Sequence, residues 1–192
     1  MNNGGTMKHI FHPDDTPDIS KIKPIVFDTN VWIYVLFPSM CSGKPGSEKY
    51  TDLFQDLKDS GIRIHLDIVI YQEFLNAVLS AAFRDYRVRY GKNPSFCFKD
   101  YRKTENFEKT LIKLSELLHT EMFPNIICVS PYDTDSFDRL LQSNRKMNTN
   151  DAHITKFCRD NGCFLVTHDS DFSGEDIDIV TANRNFFKNR NS

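Results

Sequence analysis

Five acidic residues carry the chemistry this sequence can support: Asp28, Glu73, Asp151, Asp169 and Asp171. Taken singly, each has an ordinary explanation. Asp28 closes a short apolar run and would serve as a strand-end cap. Glu73 would be an exposed helix charge, Asp151 a first-turn acid favoured by the helix dipole, and Asp169 and Asp171 a turn capping the next segment. Taken together they ask for a different account. Carboxylates a few ångströms apart repel, and in a partly buried site their pKa values rise unless something offsets the charge. A hard divalent cation is the usual offset, because Mg²⁺ and Mn²⁺ prefer oxygen ligands. Such ions keep part of their water at about 2.0–2.1 Å for Mg²⁺. Water acidified in this way is a nucleophile, and two cations about 3.5–4 Å apart stabilise both the attacking and the leaving oxygen at phosphorus. Phosphodiester hydrolysis is the chemistry the five acids fit best.

For these residues to meet, the elements between them must bring one rim together. Pro24-Ile25-Val26-Phe27 is an apolar run of the kind buried on both faces of a sheet, and Asp28 stands at its end. Val31 to Phe37 predicts a short helix stopped by Pro38, and Ser39 to Ser47 a loop. Glu48 to Ser60 has Tyr50, Leu53, Phe54 and Leu57 at helical spacing before Gly61. Ile62 to Leu66 alternates as a second strand, and Asp67 caps a helix reaching about Phe83, with Glu73 near its start. A further helix is expected over Glu105–Thr120, a strand over Ile126–Val129 and a helix over Asp133–Asn144. Then follow a helix over Thr149–Asp160 that opens with Asp151, a strand over Cys163–Thr167 that leads into Asp169 and Asp171, and a last strand over Ile177–Val180. Strands alternating with helices predict an α/β fold with a parallel or mainly parallel sheet covered on both faces. Function in such sheets collects at the carboxyl ends of the strands. If the first, second and fourth of these strands are neighbours, the acids converge.

The order of these segments resembles the PIN-domain family. Phe27-Asp28-Thr29-Asn30-Val31 is similar to the family's opening motif, and Asp67 followed six residues later by Glu73 to its second. Asp151-Ala152-His153-Ile154 and the stretch from Gly162 through Thr167-His168-Asp169-Ser170-Asp171-Phe172 resemble the third and fourth, and Val180 to Phe187 the family's C-terminal end. The resemblance spans roughly residues 24–187 and implies a three-layer α/β/α domain acting as a metal-dependent endoribonuclease. It implies that Asp28, Glu73, Asp151 and Asp169 bind Mg²⁺ or Mn²⁺ directly or through water, with Asp171 as an additional or alternate ligand. Thr29 and Asn30 would orient Asp28, and Thr167 would place a hydroxyl beside the metal or a phosphate. The implied setting is the toxin of a type II toxin–antitoxin pair, with RNA as substrate, an antitoxin protein as partner and a homodimer as the family's frequent state. An RNA-processing nuclease, or a non-catalytic scaffold that binds RNA or protein, is the alternative.

The chain is longer than the small toxins of that family. Residues 1–23 read as an arm or disordered lead-in, 24–187 as the domain and 188–192 as a tail. Residues 84–103 form an insert in which Arg84, Arg87, Arg89 and Lys92 alternate with Tyr86, Tyr90, Phe96, Phe98 and Tyr101. Basic side chains among aromatics suit phosphate contacts and base stacking; a helical extension whose aromatics pack a core or a partner would show the same pattern. His153 and His168 adjoin the acidic motifs without a role that spacing assigns.

Composition narrows the field further. A net charge of −2 over 192 residues gives no whole-chain attraction to nucleic acid, so any such contact is local. Cys41, Cys97, Cys128, Cys158 and Cys163 are odd in number and scattered without a CxxC pair, against a disulfide framework or a zinc site, and Cys158 and Cys163 read as buried small hydrophobes. The polar first residues lack a signal-peptide core, and no run is apolar enough to span a bilayer, so the expected location is cytoplasmic. No glycine-rich nucleotide loop and no HExxH occurs. A phosphatase using a strand-end aspartate as nucleophile would want a second aspartate two residues on, where Asn30 stands.

Overall fold

In the computed structural model, residues 9–15, 23–41, 44–129 and 149–190 are described. Six strands form one sheet: β1 (Ile10–Phe11), β2 (Ile25–Phe27), β3 (Ile64–Asp67), β4 (Ile126–Val129), β5 (Phe164–Val166) and β6 (Asp178–Val180). Their order is β1-β6-β5-β2-β3-β4 and every pairing is parallel. With α1 (Thr29–Leu36), α2 (Glu48–Asp59), α3 (Ile68–Arg89), α4 (Phe98–Tyr101), α5 (Glu105–Leu117) and α6 (Thr149–Asn161), the sheet makes a three-layer α/β/α domain. A wholly parallel sheet needs cover on both faces, and the central strands show it. Ile25, Val26, Phe27, Leu165 and Val166 have no exposed surface. Trp32 of α1 and Phe54 of α2 pack on Phe27 with ring centroids 5.2 and 6.4 Å away, which anchors the end of β2 just before Asp28.

Several boundaries move from their expected places for identifiable reasons. The first helix starts at Thr29 rather than Val31, because the Asp28 side chain caps it. The helix expected to end near Phe83 continues to Arg89, so the insert begins as its last turns. Phe83 and Tyr86 on those turns pack onto Phe96 and Tyr101, and Tyr90, just past the helix end, stands 4.6 Å from Tyr86. Within the stretch read as a lead-in arm, Ile10 and Phe11 form an edge strand instead: Ile179 donates its N–H to His9 O at 3.0 Å and Thr181 to Phe11 O at 2.9 Å. A parallel edge with open backbone groups accepts even a short strand. The helix expected over 133–144 lies outside the described residues. Cys158 and Cys163 are buried. Among the described residues, no helix is long and apolar enough to cross a membrane.

Candidate active site

From β2 the chain moves outward through β3 to β4, and from β5 outward through β6. The direction of travel reverses between β2 and β5, the switch point outside which open α/β sheets generally bind their ligands. The first, second and fourth strands anticipated from sequence are the adjacent trio β2, β3 and β5, so the acids that follow them share this rim.

Asp28 is at its centre and only 5% exposed. Its backbone N–H continues the sheet to Val166 O at 3.0 Å. Its Oδ1 accepts from the Thr29 N–H at 2.6 Å; Oδ2 accepts from Asn30 Nδ2 at 2.6 Å and from the Thr167 hydroxyl at 2.7 Å. Those bonds favour the ionised form, but burial outweighs them. With the nearby charges of Asp151 and Glu73 adding, the pKa rises from 3.8 to about 7.

Glu73 lies in the second turn of α3, half-buried. Its Oε2 accepts from Thr29 Oγ1 at 3.0 Å and its Oε1 from Asn150 Nδ2 at 2.5 Å. Thr29 therefore serves two acids, with its backbone on Asp28 and its hydroxyl on Glu73. Asp151 opens α6 one residue after Asn150. Burial raises its pKa to about 6, reinforced in order by Asp169, Glu73 and Asp171. Asp169 is exposed and caps the 3₁₀ turn Ser170–Gly174, its Oδ1 accepting from the Asp171 N–H at 3.0 Å. Its own N–H donates to Thr167 Oγ1 at 3.0 Å, so that one hydroxyl joins Asp169 to Asp28. The five acids lie within electrostatic reach of one another: Asp28 is acted on by Asp151 and Glu73, and Asp151 by Asp169, Glu73 and Asp171. The charges acting on Asp28 and Asp151 are all negative. Arg84, Arg87, Arg89 and Lys92 are not part of this rim: Arg89 is roughly 24 Å from Glu73 along α3, at about 1.5 Å per residue.

The sequence model of the PIN domain matches residues 25–177. The chain belongs to the PIN-domain family. No individual curated protein matches it. PIN domains are generally nucleases that act on nucleic acid, typically with divalent metals.

Within this PIN domain, four residues that spacing did not single out hold the rim in shape. Asn150 fixes Glu73, and its only sequence signal is its place beside Asp151. The Tyr50 hydroxyl, buried under the rim, lies 3.1 Å from Thr167 O, 2.9 Å from His168 Nδ1 and 2.9 Å from the donating Ala182 N–H. In the sequence it is one apolar position of a helical stripe. Asn183 donates from Nδ2 to His168 O at 2.7 Å. Lys44 belongs to a turn held against the end of β6: Gly46 has φ +83°, and a Cβ there would stand 3.2 Å from both the Cβ and the carbonyl oxygen of Ala182. His153, left without a role by sequence, pairs through Nε2 with Asp67 Oδ1 at 3.2 Å, both nearly fully buried. Asp67 also caps α3 through the Val69 N–H at 2.8 Å. That pair ties α6 to α3 and so sets Asp151 against Glu73.

Among the described residues, no group of three or more His, Cys, Asp or Glu side chains is arranged to hold a metal ion outright. The donor chemistry nevertheless fits a hard cation that keeps part of its water. The acids offer oxygen alone, they repel one another, and the partners of Asp28 and Glu73 are neutral amides and hydroxyls that leave the negative charge in place.

Proposed function

We propose that this PIN protein is a divalent-metal-dependent endoribonuclease that hydrolyses RNA phosphodiester bonds. The observation that carries the reading is the gathering of carboxylates on one rim with, among the described residues, no opposing cation acting on Asp28 or Asp151; burial first and the neighbouring acids second raise the pKa of Asp28 to about 7 and of Asp151 to about 6. A fold does not keep such groups for stability; they repel until a cation joins them. Asp28, Glu73, Asp151 and Asp169 would hold Mg²⁺ or Mn²⁺, with Asp171 as a further ligand. When bound, the cation supplies a Lewis acid for the phosphoryl oxygens and lowers the pKa of water.

The chain's own part is preorganisation. Asn30 and Thr167 hold Asp28 in one rotamer, Thr29 and Asn150 hold Glu73, and the Thr167 hydroxyl fixes the start of the Asp169 turn. A bound cation would favour the ionised forms of Asp28 and Asp151. The exposed cations of the insert, Arg84, Arg89 and Lys92 with the half-buried Arg87, add an auxiliary contact to RNA phosphates away from the rim.

The decisive experiment is RNA cleavage with Mg²⁺ or Mn²⁺, with and without EDTA, beside Asp28→Asn. Activity is expected only in the wild type with metal; cleavage that survives EDTA overturns the reading. The toxin setting follows from the family alone and predicts growth arrest on expression, relieved by Asp28→Asn and by a partner antitoxin. The self-packed insert favours a second setting, RNA processing, in which expression causes no arrest while cleavage in vitro persists.

A further inference from the structure

The β6 side of the rim holds a feature the acids do not explain. His168 is fixed at every point where the protein can reach it. Its N–H donates to Asn30 Oδ1 at 3.2 Å and its carbonyl accepts from Asn183. Its ring stands edge-on to Tyr34 and Tyr50, centroids 5.6 and 5.7 Å away, with Nδ1 against the Tyr50 hydroxyl. That leaves Nε2 as the ring nitrogen open to a ligand.

Lys44 is exposed, and its ammonium lies 5.5 Å over the Tyr34 ring rather than in an ion pair among the described residues. It is not a wandering surface lysine. The turn that carries it is seated on Ala182 by Gly46, where the positive φ would strain a side chain and its Cβ would stand a tight 3.2 Å from Ala182. The helix that follows is pinned by Tyr50 to the same Ala182. One ammonium and one imidazole thus both stand against the Tyr34 ring, 5.5 and 5.6 Å from its centroid, at the edge of a rim otherwise made of carboxylates.

We propose that Lys44 and His168 form a phosphate subsite of the nuclease, taking the phosphate next to the scissile one in an RNA strand. The proposal rests on the nuclease reading for its substrate but on separate residues for its geometry. An RNA strand crossing the rim presents a row of phosphates. The acids with their cation take one, and the neighbour needs donors. Lys44 supplies charge. His168 supplies an Nε2–H when the Tyr50 hydroxyl turns its hydrogen toward Nδ1, an arrangement that phosphate selects, because Tyr50 otherwise donates to Thr167 O.

The test uses the full chain and a labelled single-stranded RNA of about 16 nucleotides, the upper size of common single-strand sites. Binding is measured in EDTA over a salt series, and cleavage separately with Mn²⁺. Lys44→Gln is expected to weaken binding about three- to tenfold and to lower the slope of log K against log salt by about 0.7, one phosphate contact to a single strand. KM rises with kcat little changed, and Lys44→Arg restores both. His168→Ala weakens binding without changing the slope. A Lys44→Gln protein that melts like the wild type and keeps its affinity and salt slope overturns the subsite while leaving the nuclease intact. Loss of slope in Lys44→Gln, with a wild type that cleaves no RNA, leaves the subsite standing and removes the nuclease.

Discussion

At the start of α3, Glu73 sits among carboxylates with no cation acting on the two most buried of them. Past the middle of the same helix, Arg87 lies 5.7 Å over Phe83, Lys92 within 5.8 Å of both Tyr86 and Phe96, and Arg102 4.9 Å over Phe98. The insert carries seven basic residues against Asp85 and Asp100, a net charge of +5, whereas the whole chain is −2 and the remainder therefore −7. One end of the helix concentrates like charges and leaves them unpaired; the other spreads charge over the faces of aromatic rings. Tyr101 is fully buried there, in an aromatic group apart from the main core, and donates to Asn106 Oδ1 at 3.1 Å. The contrast teaches which region can be optimised for stability. The insert is self-sufficient packing with attractive cation–π contacts. The rim is held together by neighbours against its own repulsion, the mark of a site kept for a ligand.

The comparison breaks first at catalysis. Glu73→Gln and Asp151→Asn are each expected to lower RNA cleavage by about 10²–10⁴-fold, or roughly 3–6 kcal/mol of barrier, with melting temperature held or raised; equal losses from insert variants would erase the distinction. Next comes pH. Asp28 holds its proton in the folded state up to about pH 7 and in the unfolded chain only to about 3.8. Between those values the folded state binds more protons, so metal-free stability falls as pH rises, by on the order of 4 kcal/mol in all. Asp151 adds a smaller change of the same sign. Denaturant titrations in EDTA at about pH 4.5 and 7.5 should show this loss, and Asp28→Asn should remove most of it.

Tyr101→Ala tests the insert from the packing side. Losing a buried aromatic costs about 3–5 kcal/mol, and Tyr101→Phe about 1 kcal/mol for the hydroxyl bonds. Both are measurable by chemical denaturation, and cleavage of a dinucleotide substrate should be unchanged in Tyr101→Phe. The smallest effect belongs to the insert's exposed cations. Changing Arg84, Arg89 and Lys92 to Gln together should alter stability by less than about 1 kcal/mol. The same triple change should reduce the salt slope of RNA binding by up to about 2, at 0.7 per phosphate contact; an unchanged slope would leave the insert as packing alone.

Much of the fold was legible because its strands are buried on both faces and read as short apolar runs ending in an acid. That Asp28, Glu73 and Asp169 would share a rim could be anticipated because an acid directly after such a run, or in the second turn of the following helix, has a place fixed by topology; Asp151 was singled out by its likeness to the family's third motif. Tyr50, Asn183 and Lys44 could not. Tyr50 matters through contacts 118 and 132 positions away, to His168 and Ala182, and Asn183 through one to His168 15 positions back, and no local period marks them. The edge strand at Ile10 was hidden for a related reason. Two residues have no periodicity, and only the open side of β6 makes a strand of them. The aromatics of the insert were ambiguous because a self-packed cluster and a stacking platform share one composition, and only ring-to-ring distances separate them.

The PIN-domain match stops at residue 177 and begins at 25, so both β1 and β6 fall outside it. A protein trimmed to that match would bare the whole flank of β5, with its backbone amides and carbonyls facing water beside the apolar side chains of Phe164, Leu165 and Val166. Unprotected flanks of this kind recruit strands from other molecules. Trimming would also remove Ala182, against which the Lys44 turn and Tyr50 rest, so the short form is expected to aggregate and to lose the seating of that turn together.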